Sequence, residues 1–231
     1  MEKIRLFVVA VAGAALMTVS SHGQGLTMNF VANNGASVQF NGASDSFDFN
    51  SGSNGYQWNV SDEVGGSSAV GLNASVLGGP FSYGPITISG SGLYQIQYAT
   101  VLGPLGDLKM SDGTGGFLTA TVNWIDLATY AQAFGDLNAS LDVNVTDINY
   151  TGTNPDLQFL TANQPGSMDV SFQFTTSETL TQLSTGTGPY TTSFSGSLSV
   201  VPEPSTLAVA GLSGLVLLWL RQRKQPKSTG I

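Results

Sequence analysis

Cysteine is absent from the 231 residues, and the one histidine, His22, lies near the amino terminus. Cations are almost as scarce in the middle of the chain. Lys3 and Arg5 stand at one end and Arg221, Arg223, Lys224 and Lys227 at the other, which leaves only Lys109 between residues 24 and 201. That stretch, the body, holds thirteen of the fifteen acids and so carries a formal charge of −12. Without histidine it has no Ser-His-Asp or Cys-His nucleophile system. Zinc, copper and iron–sulfur centres lose their usual ligands, and no disulfide can staple the fold. One lysine and no arginine leave phosphates without counter-charges, which excludes nucleic acid as a partner.

Carboxylate chemistry survives these absences. Asp45 and Asp48, Asp62 and Glu63, Asp107 and Asp112, and Asp142 and Asp147 are local pairs. A glycosidase needs two acids flanking a cleft, but proximity in sequence does not test for one, and solvated acids on turns are the simpler reading. The segment from Asp142 to Asp147 has the composition of a calcium loop. It lacks the glycine that an EF-hand turn needs at its sixth position, and its alternating valines read better as a strand. No catalytic residue, metal ligand or cofactor is assigned; structural calcium is the one ion such acids would suit.

Two apolar runs mark the ends. Lys3 and Arg5 precede the run Leu6–Val19, and small residues follow from Ser20 to Gly25. This is the layout of a signal peptide, residues 1–25, cleaved within 20–25. At the other end stands Val201-Pro202-Glu203-Pro204-Ser205-Thr206. Its two prolines fix φ and remove two donors, so the segment stays extended, and Ser205 or Thr206 can cap a helix after it. An uncharged run to Leu220 follows, with Trp219 at headgroup level and Arg221, Arg223 and Lys224 as a cytoplasmic stop. Residues 206–220 would span roughly 22 Å against a hydrocarbon core of about 30 Å, short enough to suit a temporary handle.

These three features in this order resemble the PEP-CTERM sorting signal of Gram-negative bacteria. The resemblance covers about thirty residues. It implies recognition by a membrane-bound exosortase, cleavage near Pro202–Pro204, and delivery to the cell surface or extracellular matrix. The tail beyond Lys224 is longer and less basic than usual for such signals. The body carries no resemblance of its own.

Residues 26–200 are therefore read as one domain and 201–231 as the sorting signal. Nearly every segment of the body alternates apolar and polar residues between turns rich in Gly, Asn, Asp or Pro, the pattern of strands. Leu26–Ala32, Ala36–Asn41, Ser46–Asn50, Tyr56–Val60, Leu93–Val101 and Phe117–Ile125 are examples. Met168, Val170, Phe172 and Phe174 make the most regular stripe. Asp126–Phe134 is the one candidate helix, with a strand as its competitor; Leu157–Ala162 reads as a short strand. About a dozen strands at 8–12-residue spacing predict an all-β body of β-sandwich or jelly-roll type, flanked by a signal-peptide helix and a transmembrane helix.

The expected function is a non-enzymatic surface or matrix protein with a structural or adhesive role. A carbohydrate-binding module for exopolysaccharide is the first alternative. Tyr94 and Tyr98, placed on one strand face, are its best stacking pair, although core packing is the commoner use of such rings. A carboxylate-based glycoside hydrolase is the second alternative.

Overall fold

The computed structural model describes residues 25–134 and 137–201. The expected signal peptide and carboxy-terminal helix lie outside these residues. Among the described residues no helix is long and apolar enough to cross a membrane. Gly25–Val201 forms one compact unit with a hydrophobic core of its own.

The chain runs through β1 (Leu26–Ala32), β2 (Ser37–Asn41), β3 (Ser46–Asn50), β4 (Trp58–Val64), β5 (Asn73–Leu77), β6 (Phe81–Tyr83) and β7 (Thr87–Ser89). It continues through β8 (Ile96–Gly103), β9 (Gly106–Ser111), β10 (Phe117–Phe134) and β11 (Leu137–Asn149). After helix α1 (Pro155–Ala162) come β12 (Gly166–Phe172), helix α2 (Leu180–Thr185), β13 (Pro189–Thr192) and β14 (Phe194–Val200).

The all-β expectation holds, but the architecture is not a two-sheet sandwich. Eight antiparallel strands, ordered β11-β12-β14-β1-β4-β5-β9-β10, close into a barrel through the β10–β11 pairing. Closure is legible in the register. Buried residues oppose one another around the ring: Met28 with Leu198, Leu198 with Met168, Met168 with Val143, and Val143 with Trp124. The next layer joins Phe30 with Val60, Trp58 with Ala74, Val76 with Leu108, and Leu108 with Ala120. The alternate residues meet outside as polar pairs, such as Asn29 with Ser197 and Asn144 with Ser167. An eight-stranded barrel is just wide enough for side chains to fill, and here Phe30 and Trp58, with ring centroids 4.3 Å apart, occupy the middle. Gly196 lies beside that pair, where a Cβ would meet the Phe30 ring and the Asp169 carbonyl.

The second sheet grows from the upper half of β10. Phe117–Val122 pairs with β9, whereas Asp126–Tyr130 pairs with β8, which carries β6, β3, β2 and β13 beyond it and β7 at its side. A register shift between Trp124 and Leu127 marks the changeover, the kind of irregularity that bends a strand. The helix expected over Asp126–Phe134 is thus a strand. Its alanines favour a helix, but Leu127 and Thr129 are buried and both edges find backbone partners, so pairing overrides propensity.

An aromatic layer fastens the second sheet to the barrel. Phe47 lies 5.5 Å from Phe81 and from Trp124, Phe49 lies 5.1 Å from Phe194, and Phe40 lies 5.3 Å from Phe172. Buried Gln57 bridges β3 and β5: its Nε2 donates to the carbonyls of Phe49 and Val76, and its Oε1 accepts from Val76 N.

Helices α1 and α2 each start on a side-chain cap. Asn154 accepts from the amides of Asp156 and Leu157, with Pro155 at the first helical position. This overrides the short strand expected at Leu157–Ala162. Thr179 and Gln182 form a capping box at α2.

Candidate functional site

Val201 is the last described residue of the expected sorting segment. Pro202, Glu203, Pro204 and Ser205, with the basic stop Arg221, Arg223 and Lys224, lie outside the described residues. Leu26 pairs with Val200, so both ends of the body leave from adjacent strands at one pole of the barrel.

That pole is closed by hydrogen-bonded acids. Asp156 Oδ2 accepts from the amides of Ser67 and Ser68 and from the Ser68 hydroxyl. Burial alone would raise its pKa, but these donors outweigh it and hold the group below the usual carboxylate range. Glu63 moves the other way. Burial, reinforced by the neighbouring Asp156 and Asp62, pushes it up to about 7, against one amide bond from Ala69. The two carboxyls lie side by side under Gly66, and Glu63 is the one whose proton is held more tightly. Gly66 covers them so closely that a Cβ would stand 2.8 Å from Glu63 Oε1. Nearby, Asp112 Oδ1 accepts from the amides of Thr114 and Gly116, its Oδ2 accepts from the Tyr150 hydroxyl at 3.1 Å, and these bonds lower its pKa. These bonds brace loops to one another across the barrel end.

The paired tyrosines fall on different elements. Tyr94 ends a 3-10 turn, Gly92–Tyr94, and is 74% exposed; β8 begins only at Ile96, and Tyr98 on it is 40% exposed. The flat strand face expected to carry both rings is therefore interrupted at Gln95. Tyr98 instead stands opposite Ala128 and Thr87, with Ile96 opposite Tyr130.

The described residues also line surface concavities. A groove of about 320 Å³ on the barrel wall is lined by Asp107, Lys109, Thr121 and Asp147. The Lys109 ammonium there sits 4.1 Å from the centroid of the Phe117 ring. A cavity of about 390 Å³ lies beside β6, β8 and α2, lined by Asp45, Tyr83, Gly84, Pro85, Ile86, Leu102 and Ser184. Tyr83 is 4% exposed, and its hydroxyl has no hydrogen-bond partner among the described residues. An unpaired buried hydroxyl costs about 1–3 kcal/mol. Burial, then the charge of Asp45, pushes this phenol up to about 12, so it keeps its proton and remains a donor. Asp45 is exposed in the left-handed region at φ 43°; its carbonyl accepts from Tyr83 N, and its carboxylate accepts from the Ser184 hydroxyl. Ser184 is carried by α2, which the second sheet and β10 grip: Gln97 Oε1 accepts from Thr181 N and Oγ1, and Thr129 Oγ1 accepts from Leu180 N. The sequence pairs Asp45 with its neighbour Asp48 and carries no signal that joins it to Tyr83.

A third acid cluster is a consequence of register. Asp142 on β11 faces Asp169 on β12, with Asp126 close by; burial and then these charges raise the Asp142 pKa. Among the described residues no group of three or more His, Cys, Asp or Glu is arranged to hold a metal ion.

Residues 200–224 match the PEP-CTERM protein-sorting motif. No curated protein and no solved structure matches the chain. The motif match, starting at the final residue of β14, marks the chain as an exosortase-sorted extracellular protein whose body is an antiparallel barrel.

Proposed function

We propose that the body is a non-enzymatic structural or adhesive module, displayed at the cell surface or in the extracellular matrix after removal of both ends. Residues 206–220 hold the precursor in the inner membrane until exosortase cuts near Pro202–Pro204. The observation that carries this reading is that the sorting motif begins where the last barrel strand ends, so the chain consists of a packed module and its address. The polar outer rows of Ser, Thr and Asn suit exposure to water, and the charge of −12 keeps copies of the body apart in solution.

The test is expression of a chain with an epitope after Lys224 in hosts with and without exosortase. The body is expected outside the cell, free of the epitope, only where exosortase is present. Intact chain in the cytosol of both hosts would overturn the reading.

The hydrolase alternative needs two carboxylates about 5–9.5 Å apart across a cleft. The cavity at Tyr83 offers Asp45 alone; the barrel-wall groove brings Asp107 and Asp147 together beside Lys109. No turnover of glycoside substrates is expected. Turnover abolished by Asp107→Asn or Asp147→Asn would replace the non-enzymatic reading with catalysis in that groove. The exopolysaccharide alternative is favoured by the cavity rather than by Tyr94 and Tyr98.

A further inference from the structure

We infer that the cavity between α2 and the β3–β6–β8 face of the second sheet is a binding site for a neutral, hydroxyl-rich saccharide unit. The inference builds on the exopolysaccharide reading and does not depend on the sorting route. Its volume, about 390 Å³, lies within the range of about 300–1,000 Å³ typical of small-ligand sites. Its lining has two kinds of surface. Asp45, Tyr83 and Ser184 supply an acceptor and hydroxyls; Pro85, Ile86 and Leu102 supply apolar contact, Leu102 being 68% exposed. A sugar ring has both kinds too, with hydroxyls at its rim and C–H groups on its faces.

The polar groups also say what is not bound. Asp45 is the only charged residue in the lining, and Lys109, the body's one cation, sits on the barrel wall beside Phe117. A carboxylated or sulfated sugar would meet repulsion with no counter-charge, whereas neutral hydroxyls can donate to Asp45. Ser184 engages Oδ1 of that carboxylate, leaving Oδ2 to accept from a ligand. The unpaired Tyr83 hydroxyl is buried behind this lining, and it donates to a ligand oxygen once its side chain turns toward the cavity. A site built around such an unpaired donor rejects ligands that cannot satisfy it.

The wall is held in place before any ligand arrives. The Tyr83 amide donates to the Asp45 carbonyl at 2.9 Å, and the Thr179–Gln182 capping box with the Gln97 and Thr129 bonds fixes the helix that carries Ser184. Preorganisation of this kind lowers the ordering cost of binding.

Residues 25–201 form a compact unit with its own core, and that unit is the reagent for the test. Calorimetric titration would compare neutral oligosaccharides with uronate oligosaccharides of equal length. Neutral oligosaccharides should bind and uronates should not. Tyr83→Phe should weaken binding at least tenfold while leaving Tm unchanged or raised, since it deletes only an unpaired hydroxyl. Asp45→Asn, which tolerates the left-handed backbone, should weaken neutral binding and abolish the discrimination against uronates. Failure of every neutral saccharide to bind, equal binding of uronates by the unaltered protein, or a Tyr83→Phe variant that binds like the parent would each overturn the inference. Normal processing by exosortase alongside any of those results would leave the export reading standing.

Discussion

Glu63 and Asp156 lie side by side with their pKa values moved in opposite directions, and that arrangement makes stability depend on pH in a stated direction. The unfolded Glu63 titrates near 4.5 and the folded one at about 7. Between those values the folded state holds the extra proton, so this contribution is intact at low pH and declines as pH rises through the window. Asp156 runs the opposite way: its folded pKa is lowered from 3.8, so its contribution is present above that value and lost as pH falls. Thermal unfolding should therefore give a higher Tm at pH 5 than at pH 8. Glu63→Gln keeps an acceptor for the Ala69 amide and offers an N–H to Asp156, so it should remove most of the difference. Asp142 faces Asp169 directly across two strands, and like charges so placed repel. Asp142→Asn should raise stability at pH 7 by roughly 0.2–1 kcal/mol, read as a shift in the urea midpoint. None of these pairings could be seen in the sequence, where proximity suggested Asp62 with Glu63 and Asp142 with Asp147. Long-range register, not chain adjacency, decides which acids meet.

Strands were more legible than the elements between them. The stripe Met168, Val170 and Phe172 lies inside the barrel as its period-two pattern demanded, with Ser167, Asp169 and Ser171 pairing on the outer face. Alternation works there because one face is dry and the other wet. It failed over Asp126–Phe134, where alanines diluted the contrast between faces and two neighbouring strands supplied the stabilisation. It failed also at Leu157–Ala162, where the informative signal was an Asn-Pro start followed by Leu157 and Leu160 on one helical face. Gly196 shows how tightly the inner layer is set. Gly196→Ala would drive a methyl into the Phe30 ring and the β12 backbone, and should cost the upper part of about 1–3 kcal/mol in chemical denaturation. Thr179→Ala removes one half of the α2 capping box and should cost about 1 kcal/mol in the same assay.

At the scale of the whole molecule, closure of the barrel was the feature hardest to foresee. It depends on β10 accepting β9 and β11 on its two edges and then exchanging β9 for β8, and no local pattern encodes that exchange. The cavity was hidden for the same reason, since Asp45, Tyr83 and Ser184 come from three separated segments. Pairing of Leu26 with Val200 sets the two ends of the body side by side. A short linker from Val201 to Gly25, with new ends opened between exposed Thr187 and Gly188, should therefore give a circular permutant with an unaltered far-UV spectrum. The same pairing gives the barrel a root and a crown. Whatever grips the polypeptide by either extremity grips the root, where Glu63, Asp112 and Asp156 tie the loops together. The crown, with the Tyr83 hollow and the helix that walls it, is left free of the bonds that tie the root.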